Sequence, residues 1–301
     1  MSRLLLAPGS LRPALVERSR RALACGAMQP IETTEEIVAD AGVDFLVRRL
    51  SSLARKEEEK KRNDRSAKPA NPFLPHEPEL FVADLSPSHF ALLNKFNVIP
   101  HHLLIITRDF VDQEVLIDAL DFEALAACMG EIDGLAIYNG GKVAGASQPH
   151  KHLQLVPLPF LPGGPGVPVE PLFAAVAGRP GVLRIPGFPF RHAFAWLDPD
   201  CIAGAQTAAA HLERWYRALL SAAGLPPARG AAPRQAGPYN LLATRRWMLL
   251  VPRSRELFDA VSVNSLGFAG SMFVRDEAQM QVLRRAGPMS VLRAVGLSDL
   301  K

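Results

Sequence analysis

GLAIYNGGKVAGASQPHKHLQLVPL, residues 134–158, reads as a strand, a glycine-rich turn and a second strand that begins near His150. Side chains alternate faces along a strand. His150, His152 and Gln154 therefore point one way, and Lys151, Leu153 and Leu155 the other. The turn before them, Asn139, Gly140, Gly141, Gly145, Ala146, Ser147 and Gln148, is built mostly of small residues whose backbone N–H groups can approach an anion closely. The hairpin thus predicts a phosphate cradle opening onto a pair of imidazoles.

The text on either side predicts more sheet. Upstream, NPFLP (71–75) and LLNKFNVIPHHLLIITR (92–108) read as strand-rich, with Pro100 in a turn between extended pieces. Phe122, Leu125, Ala126 and Met129 recur at helical spacing, so a helix over 121–133 feeds the motif, with Asp121 as its N-cap. A Pro and Gly cluster over 157–171 breaks the pattern, and Leu212, Trp215, Leu219 and Leu220 mark a helix over 207–222. After a second Pro and Gly loop, 226–238, sheet text resumes as NLLATRRWMLLVPRS (240–254) and NSLGFAGSMFVR (264–275), faintly similar to the first half. Only the first half holds an H-x-H, which implies one site per chain. At the start, Leu11, Leu15 and Leu23 predict a helix over 10–27, and 43–50 is an extended run. Residues 55–68 are almost wholly charged and read as a solvated connector. Helical text over 280–297 is broken at Gly287 and Pro288.

Composition bounds the class. The chain has 301 residues, 48% hydrophobic and 21% charged, which suits one large or two small globular domains. A net charge of +4 favours no class of partner. Cys25, Cys128 and Cys201 are too scattered for a disulfide framework or a thiolate zinc site and fit a reducing cytoplasm. No apolar run reaches the roughly 20 residues of a membrane helix, and the apolar start at Leu4–Ala7 is too short for a signal sequence. A soluble, untargeted, cytoplasmic protein is the expectation.

A neutral imidazole is a competent nucleophile at phosphorus when one nitrogen is free and the other N–H is held by an acceptor. Phosphoryl chemistry otherwise needs positioning and donors around developing negative charge, which the turn amides, Ser147, Gln148 and Gln154 can supply. An H-x-H arises by chance often enough in a chain with eight histidines that the pair alone decides little. The rival chemistry is a metal-dependent enzyme using the His150/His152 pair, its third ligand drawn from His101, His102, Asp109 or Glu131. His76, His89, His192 and His211 are isolated and read as surface or satisfied core residues, and His101 and His102 as structural residues at a strand entry.

GASQPHKHLQ (145–154), with its H-x-H-x-Q core, resembles the signature of the ATP adenylyltransferases, also called diadenosine tetraphosphate phosphorylases. These belong to the histidine-triad and galactose-1-phosphate uridylyltransferase superfamily. NPFLP, LSP (85–87), LLNKFNV, HHLLIITR, YN (138–139), YNLLATRRWMLLVPRS (239–254) and NSLGFAG (264–270) carry the likeness over 43–297. The resemblance implies an α+β fold, mainly an antiparallel sheet with flanking helices, as an intrachain pseudo-dimer. Its motif half is 1–160 and a degenerate half is 161–301. It implies His152 as the nucleophile that takes up AMP, His150 as its orienting neighbour, and Gln154 in place of the third histidine of the hydrolytic members. A neutral amide can hold a phosphate oxygen but cannot hand a proton to a leaving group, which favours transfer over hydrolysis. Nucleotide contacts are implied at Lys56, Asn94, Lys95, Asn139, Gly145, Ala146, Ser147, Gln148, Asn264, Ser271 and Arg275. The implied reaction is diadenosine tetraphosphate plus phosphate giving ATP plus ADP, with Mg2+ or another divalent cation accompanying the nucleotide and no structural zinc. Its partners are small molecules, with no nucleic acid and no membrane. Uridylyl transfer between hexose phosphates is the alternative on the same scaffold, and a nucleotide sensor without turnover is the non-enzymatic one.

Overall fold

The strand pair of residues 134–158 lies inside a large antiparallel sheet. The computed structural model describes residues 4–51, 71–202, 205–226 and 233–298; Lys56 and the charged run 55–68 lie outside the described residues. β6 (Gly134–Gly140) pairs with β7 (His152–Pro157) from Gly134↔Pro157 to Ile137↔Gln154. On the far side of β7 comes β5 (Leu103–Thr107), with Ile106 opposite His152 and Leu104 opposite Gln154. β4 (His89–Leu93) and the edge strand β3 (Phe81–Asp84) follow. On the far side of β6 stands β9 (Tyr239–Ala243), which sets Asn139 opposite Asn240, then β10 (Trp247–Pro252) and the second edge strand β8 (Ala193–Trp196). The fold is α+β: eight antiparallel strands in the order β3-β4-β5-β7-β6-β9-β10-β8, drawn from both halves of the chain and flanked by helices.

Period-2 alternation divides the core between the two faces. One face presents Leu153, Leu155, Leu103, Ile105, Tyr138 and Leu241 to α1 (Leu11–Ala24), α2 (Ala119–Glu131) and α4 (Ala205–Ala222), which follows a short α3 (Pro199–Ile202). The opposite face presents Leu135, Ile137, Val156, Leu242, Leu249 and Val251 to the remaining elements. These include α5 (Ser265–Phe268), α6 (Glu277–Ala286), α7 (Pro288–Val295) and a three-stranded sheet. That sheet joins the hairpin β1 (Thr33–Asp40) and β2 (Val43–Leu50) to β13 (Ser271–Val274), which runs parallel to β2. The β1–β2 turn, Ala41 and Gly42, has positive φ at both positions, the geometry whose twist matches a two-residue hairpin. A two-residue ribbon, β11 (Leu257–Phe258) with β12 (Val261–Ser262), links β10 to α5.

Several boundaries depart from the sequence reading. α2 starts at Ala119, and its N-cap is Asp118, whose carboxylate accepts from the Leu120 and Asp121 N–H groups. Asp121 fills the third helical position and accepts back from the Asp118 N–H, closing a capping box. NPFLP contains no strand: Asn71 Oδ1 accepts from Phe73 N–H at 3.0 Å and folds the segment into turns. NSLGFAG is not a strand either. Asn264 Oδ1 caps the Leu266 N–H and opens α5. The break at Gly287 is real, with φ +80 and Asp40 packed where a side chain would stand.

Candidate active site

β7 begins at His152, two residues later than the alternation suggests. His150 makes only an isolated bridge with Asp112, and Lys151 N–H donates to Val111 O at 2.7 Å, so residues 111–115 run beside 149–152 as an extra rail. Here β6 and β7 part. Their ladder ends at Ile137↔Gln154, and two more residues would set Asn139 against His152. The Gln113 side chain takes that place. Its Oε1 accepts from His152 N–H at 2.8 Å, and its Nε2 donates to His152 O at 3.2 Å and to Asn139 O at 3.0 Å. A side-chain amide thus replaces a strand's peptide group, holding the two strands apart while it pairs the His152 N–H and both carbonyls.

Donor and acceptor directions fix both imidazoles. His152 Nδ1 lies 2.8 Å from His150 O, a pure acceptor, so Nδ1 carries the proton and Nε2 the lone pair. Nε2 makes no hydrogen bond among the described residues. Burial holds the His152 pKa down to about 4, so the ring is neutral through the physiological range. The His150 ring is tied at both ends. Thr107 Oγ1 donates to Asp109 O, so His150 Nε2–H donates to Thr107 O and Thr107 Oγ1, each at 2.9 Å. Asn71 Oδ1 is used by Phe73 N–H, so Asn71 Nδ2 donates to His150 Nδ1 at 3.0 Å. Phe73 closes over the pair, its ring centroid 5.6 Å from His150 and 5.3 Å from His152. With both nitrogens engaged, His150 has no lone pair left for a metal. Three of the four other candidate ligands lead elsewhere: His102 to Gln154, His101 to Ser19, and Glu131 to the backbone N–H groups of Gly9, Leu11 and Arg12. Among the described residues no three His, Cys, Asp or Glu side chains converge to hold a metal ion.

Gln154 shares the His152 face between Leu104 and Ile137, and its Oε1 lies 2.8 Å from His102 Nε2. The small-residue turn folds over Gly141 and Gly145, both at positive φ. Ala146 N–H donates back to Gly141 O at 3.2 Å, and Ser147 is exposed while Gln148 is half-buried. Gly145 packs against Asn264, 2.8 Å from where a Cβ would sit, so a side chain there would drive the two halves apart. Asn264, Ser271 and Arg275 come together. They line a cleft of about 200 Å3 with Leu50, Val263 and Gln279, the Ser271 hydroxyl also accepting from buried Arg48 at 2.7 Å.

Three of the expected contacts are used within the protein. Asn139 is buried, its Oδ1 accepting from Asn240 Nδ2, Ser265 N–H and Ser265 Oγ at 2.9, 3.0 and 2.7 Å. Asn94 bonds His102, and Lys95 pairs with Glu77 at 2.5 Å. Lys151, between the two histidines on the reverse face, donates to Leu116 O and to the Asp121 carboxylate, which also accepts from His89 at 2.9 Å. Burial would raise the Asp121 pKa, but His89 and Lys151 outweigh it and hold it down. Sequence reading missed Asn71, Thr107 and Gln113, and took His102 for a structural residue at a strand entry or a third metal ligand. No spacing rule links them to the motif, because they reach it from other strands and loops.

A family model described as the Ap4A phosphorylase N-terminal domain matches residues 1–175, and one described as the ATP adenylyltransferase C-terminal domain matches residues 186–298. The chain belongs to the Ap4A phosphorylase family. Within it, the chain is 29% identical to diadenosine 5',5'''-P1,P4-tetraphosphate phosphorylase 2 of Saccharomyces cerevisiae, over 77% of this chain and 76% of that one. It is 25% identical to Protein APA1 of the same yeast, over 82% and 80%. The crystal structure of yeast Ap4A phosphorylase Apa2 superposes with a TM-score of 0.79 at 22% identity, covering 98% of each chain. Apa2 in complex with Ap4A gives 0.75 at 20% identity, covering 98% of this chain and all of that one. The eight-stranded sheet and its flanking layers are therefore the Apa2 fold. No described helix is long and apolar enough to cross a membrane.

Proposed function

We propose that this protein phosphorolyses diadenosine tetraphosphate to ATP and ADP, with His152 carrying AMP between two in-line steps. The observation that carries this reading is the His152 ring, neutral, with its proton committed to the His150 carbonyl and Nε2 left as an unprotonated nucleophile. Family membership and the curated yeast relative named as a tetraphosphate phosphorylase support it. In the first step Nε2 attacks an α-phosphorus, the N–P bond forms, and the P–O bond to the departing ATP breaks. ATP leaves as a polyphosphate anion of low basicity, so no proton donor is required. In the second step a phosphate oxygen attacks the same phosphorus, the N–P bond breaks, and ADP forms while His152 returns to its starting tautomer.

Gln154 suits this route because a neutral amide holds a phosphoryl oxygen without protonating anything. Gly145, Ala146, Ser147 and Gln148 would supply the phosphate cradle, and Asn264, Ser271 and Arg275 would bind part of the nucleotide across the cleft from them. The residues around His152 are amides and imidazoles, not carboxylates, so Mg2+ would enter on the polyphosphate and keep phosphate and water as its ligands. The half from 161 onward, without an H-x-H, would act as support for a single site. Cys25, Cys128 and Cys201 are free thiols, which supports a reducing, cytoplasmic setting.

The test is intact mass after brief exposure to diadenosine tetraphosphate without phosphate, for wild type and His152→Ala. An AMP adduct on wild type alone, discharged as ADP when phosphate is added, is the expected result. Wild type that takes up no AMP would remove His152 as the nucleophile.

A further inference from the structure

The hydrogen bonds running from the β4–β5 turn to Gln154 have only one consistent direction. Phe96 N–H can only donate, and it lies 3.2 Å from Asn94 Oδ1, which makes that atom the amide oxygen. The nitrogen of the same amide, Nδ2, therefore faces His102 Nδ1 at 3.3 Å. An NH2 group offers no lone pair, so His102 Nδ1 accepts. A neutral imidazole that accepts at Nδ1 carries its proton on Nε2. His102 Nε2–H then donates to Gln154 Oε1 at 2.8 Å. Once its carbonyl is taken, Gln154 has only its NH2 to present, and that group makes no hydrogen bond with the described residues.

We infer that Asn94 and His102 are positioning residues that hold the Gln154 amide in one of its two orientations, NH2 outward, as a donor to the phosphoryl group that passes through His152. The inference rests on the proposed phosphorolysis and deepens it. Gln154 lies two residues beyond His152 on the same strand face, so whichever end of its amide is outward meets the oxygens of the phosphoryl group on His152. The NH2 end donates to those oxygens as negative charge builds, whereas a flipped amide would set a carbonyl lone pair against them. Without His102 the two orientations differ little, and binding would have to select the productive one.

The surroundings hold the relay still. His102 is buried, and Asn94 N–H donates to His102 O at 3.0 Å across the turn. The preceding residue, His101, sits in the left-handed region at φ +57, a conformation unusual for a side-chain-bearing residue, and its Nδ1 meets buried Ser19 Oγ on α1 at 2.9 Å. Burial also keeps His102 from protonating until about pH 4, so its single ring proton stays on Nε2, donated to Gln154, over the working range. That proton is unavailable to a leaving group, which separates this arrangement from one that hydrolyses.

Two measurements decide it. The tautomer of His102 in the wild-type protein, read from multiple-bond 1H–15N couplings of 15N-histidine and assigned with His102→Gln, is expected to be Nε2–H; an Nδ1–H tautomer overturns the relay. In single-turnover mass kinetics, His102→Leu is expected to take up AMP about 10- to 100-fold more slowly with KM within about twofold of wild type. His102→Gln, whose amide nitrogen reaches the place of Nε2, is expected to recover most of that loss. A His102→Leu rate equal to wild type overturns the proposal. Wild type that never takes up AMP sinks the phosphorolysis itself, an outcome that the tautomer, read without substrate, does not share.

Discussion

At the scale of single residues the site is organised by which nitrogen holds the proton. The alternation of His150, His152 and Gln154 was legible in the sequence, and so was the need for a free imidazole nitrogen. The groups that fix the tautomers were not, because Asn71, Thr107 and His102 lie 79, 43 and 52 positions from the atoms that they bond. Their effect also depends on directions that only the assembled bonds reveal. Two imidazoles kept neutral by burial have a pH consequence. His102 and His152 protonate at about 4 in the fold against an ordinary 6.5, so below 6.5 the unfolded chain binds more protons than the folded one. Their contribution is thus fully present above pH 6.5 and is lost as the pH falls from 6.5 towards 4. Each group removes of the order of 3 kcal/mol over that window. Urea denaturation between pH 7 and pH 4 is expected to show a falling midpoint. The single-turnover rate of AMP uptake should stay level on its acid side until about pH 4; an inflection near 6.5 would mean that His152 is exposed to water.

The decisive device at the scale of elements is the gap between β6 and β7. A regular ladder would have continued from Ile137↔Gln154 to the motif histidine; instead Gln113 inserts its amide and the glycine turn swings clear of the strand. Hydrophobic periodicity foretells that two strands exist and roughly where they end. It carries no mark of a side chain that stands in for a strand, which is why the start of β7 was placed two residues early. Replacing Gln113 with Leu keeps the volume but leaves the His152 N–H and the His152 carbonyl buried without the amide that pairs them, while the Asn139 carbonyl keeps the Gly141 N–H. A loss of roughly 3 kcal/mol in unfolding free energy is expected from such unpaired groups, measured by urea denaturation. AMP uptake should slow as well, since the strand that carries the nucleophile loses its rail. Unchanged uptake with reduced stability would confine Gln113 to folding. The α2 cap shows the same limit on a smaller scale. Either aspartate, 118 or 121, satisfies the sequence pattern, and the capping box uses both in different roles.

At the scale of the whole molecule, one buried polar cluster joins the two halves of the chain. Arg253 Nη1 donates to Asn240 Oδ1 at 2.6 Å, and Asn240 Nδ2 donates to Asn139 Oδ1 at 2.9 Å and to Ala144 O at 2.8 Å, within the glycine turn. Burial pulls the Arg253 pKa down to about 10, still far above neutrality, so the guanidinium stays charged. Arg253→Met is expected to cost roughly 3 kcal/mol, because Asn240 Oδ1 and several backbone carbonyls lose a charged donor. In the wild-type protein, thermal melts should show the two halves unfolding together, and separate transitions there would deny that the cluster couples them. The sheet in the second half was legible from its apolar strands; the coupling was not, since Asn139 and Arg253 are ordinary polar residues until the β6–β9 pairing brings their strands side by side. The borders of the large sheet are each covered at one point. At one, Leu183 exchanges both backbone hydrogen bonds with Phe194 in the middle of β8; at the other, Leu5 N–H donates to Leu85 O beside β3. A neighbouring polypeptide in a crowded solution therefore meets both of these points on the large sheet already taken. Clumping that grows from those borders should accordingly wait until the covering segments come away, and its onset should follow the melting curve, whatever the protein concentration of the folded stock.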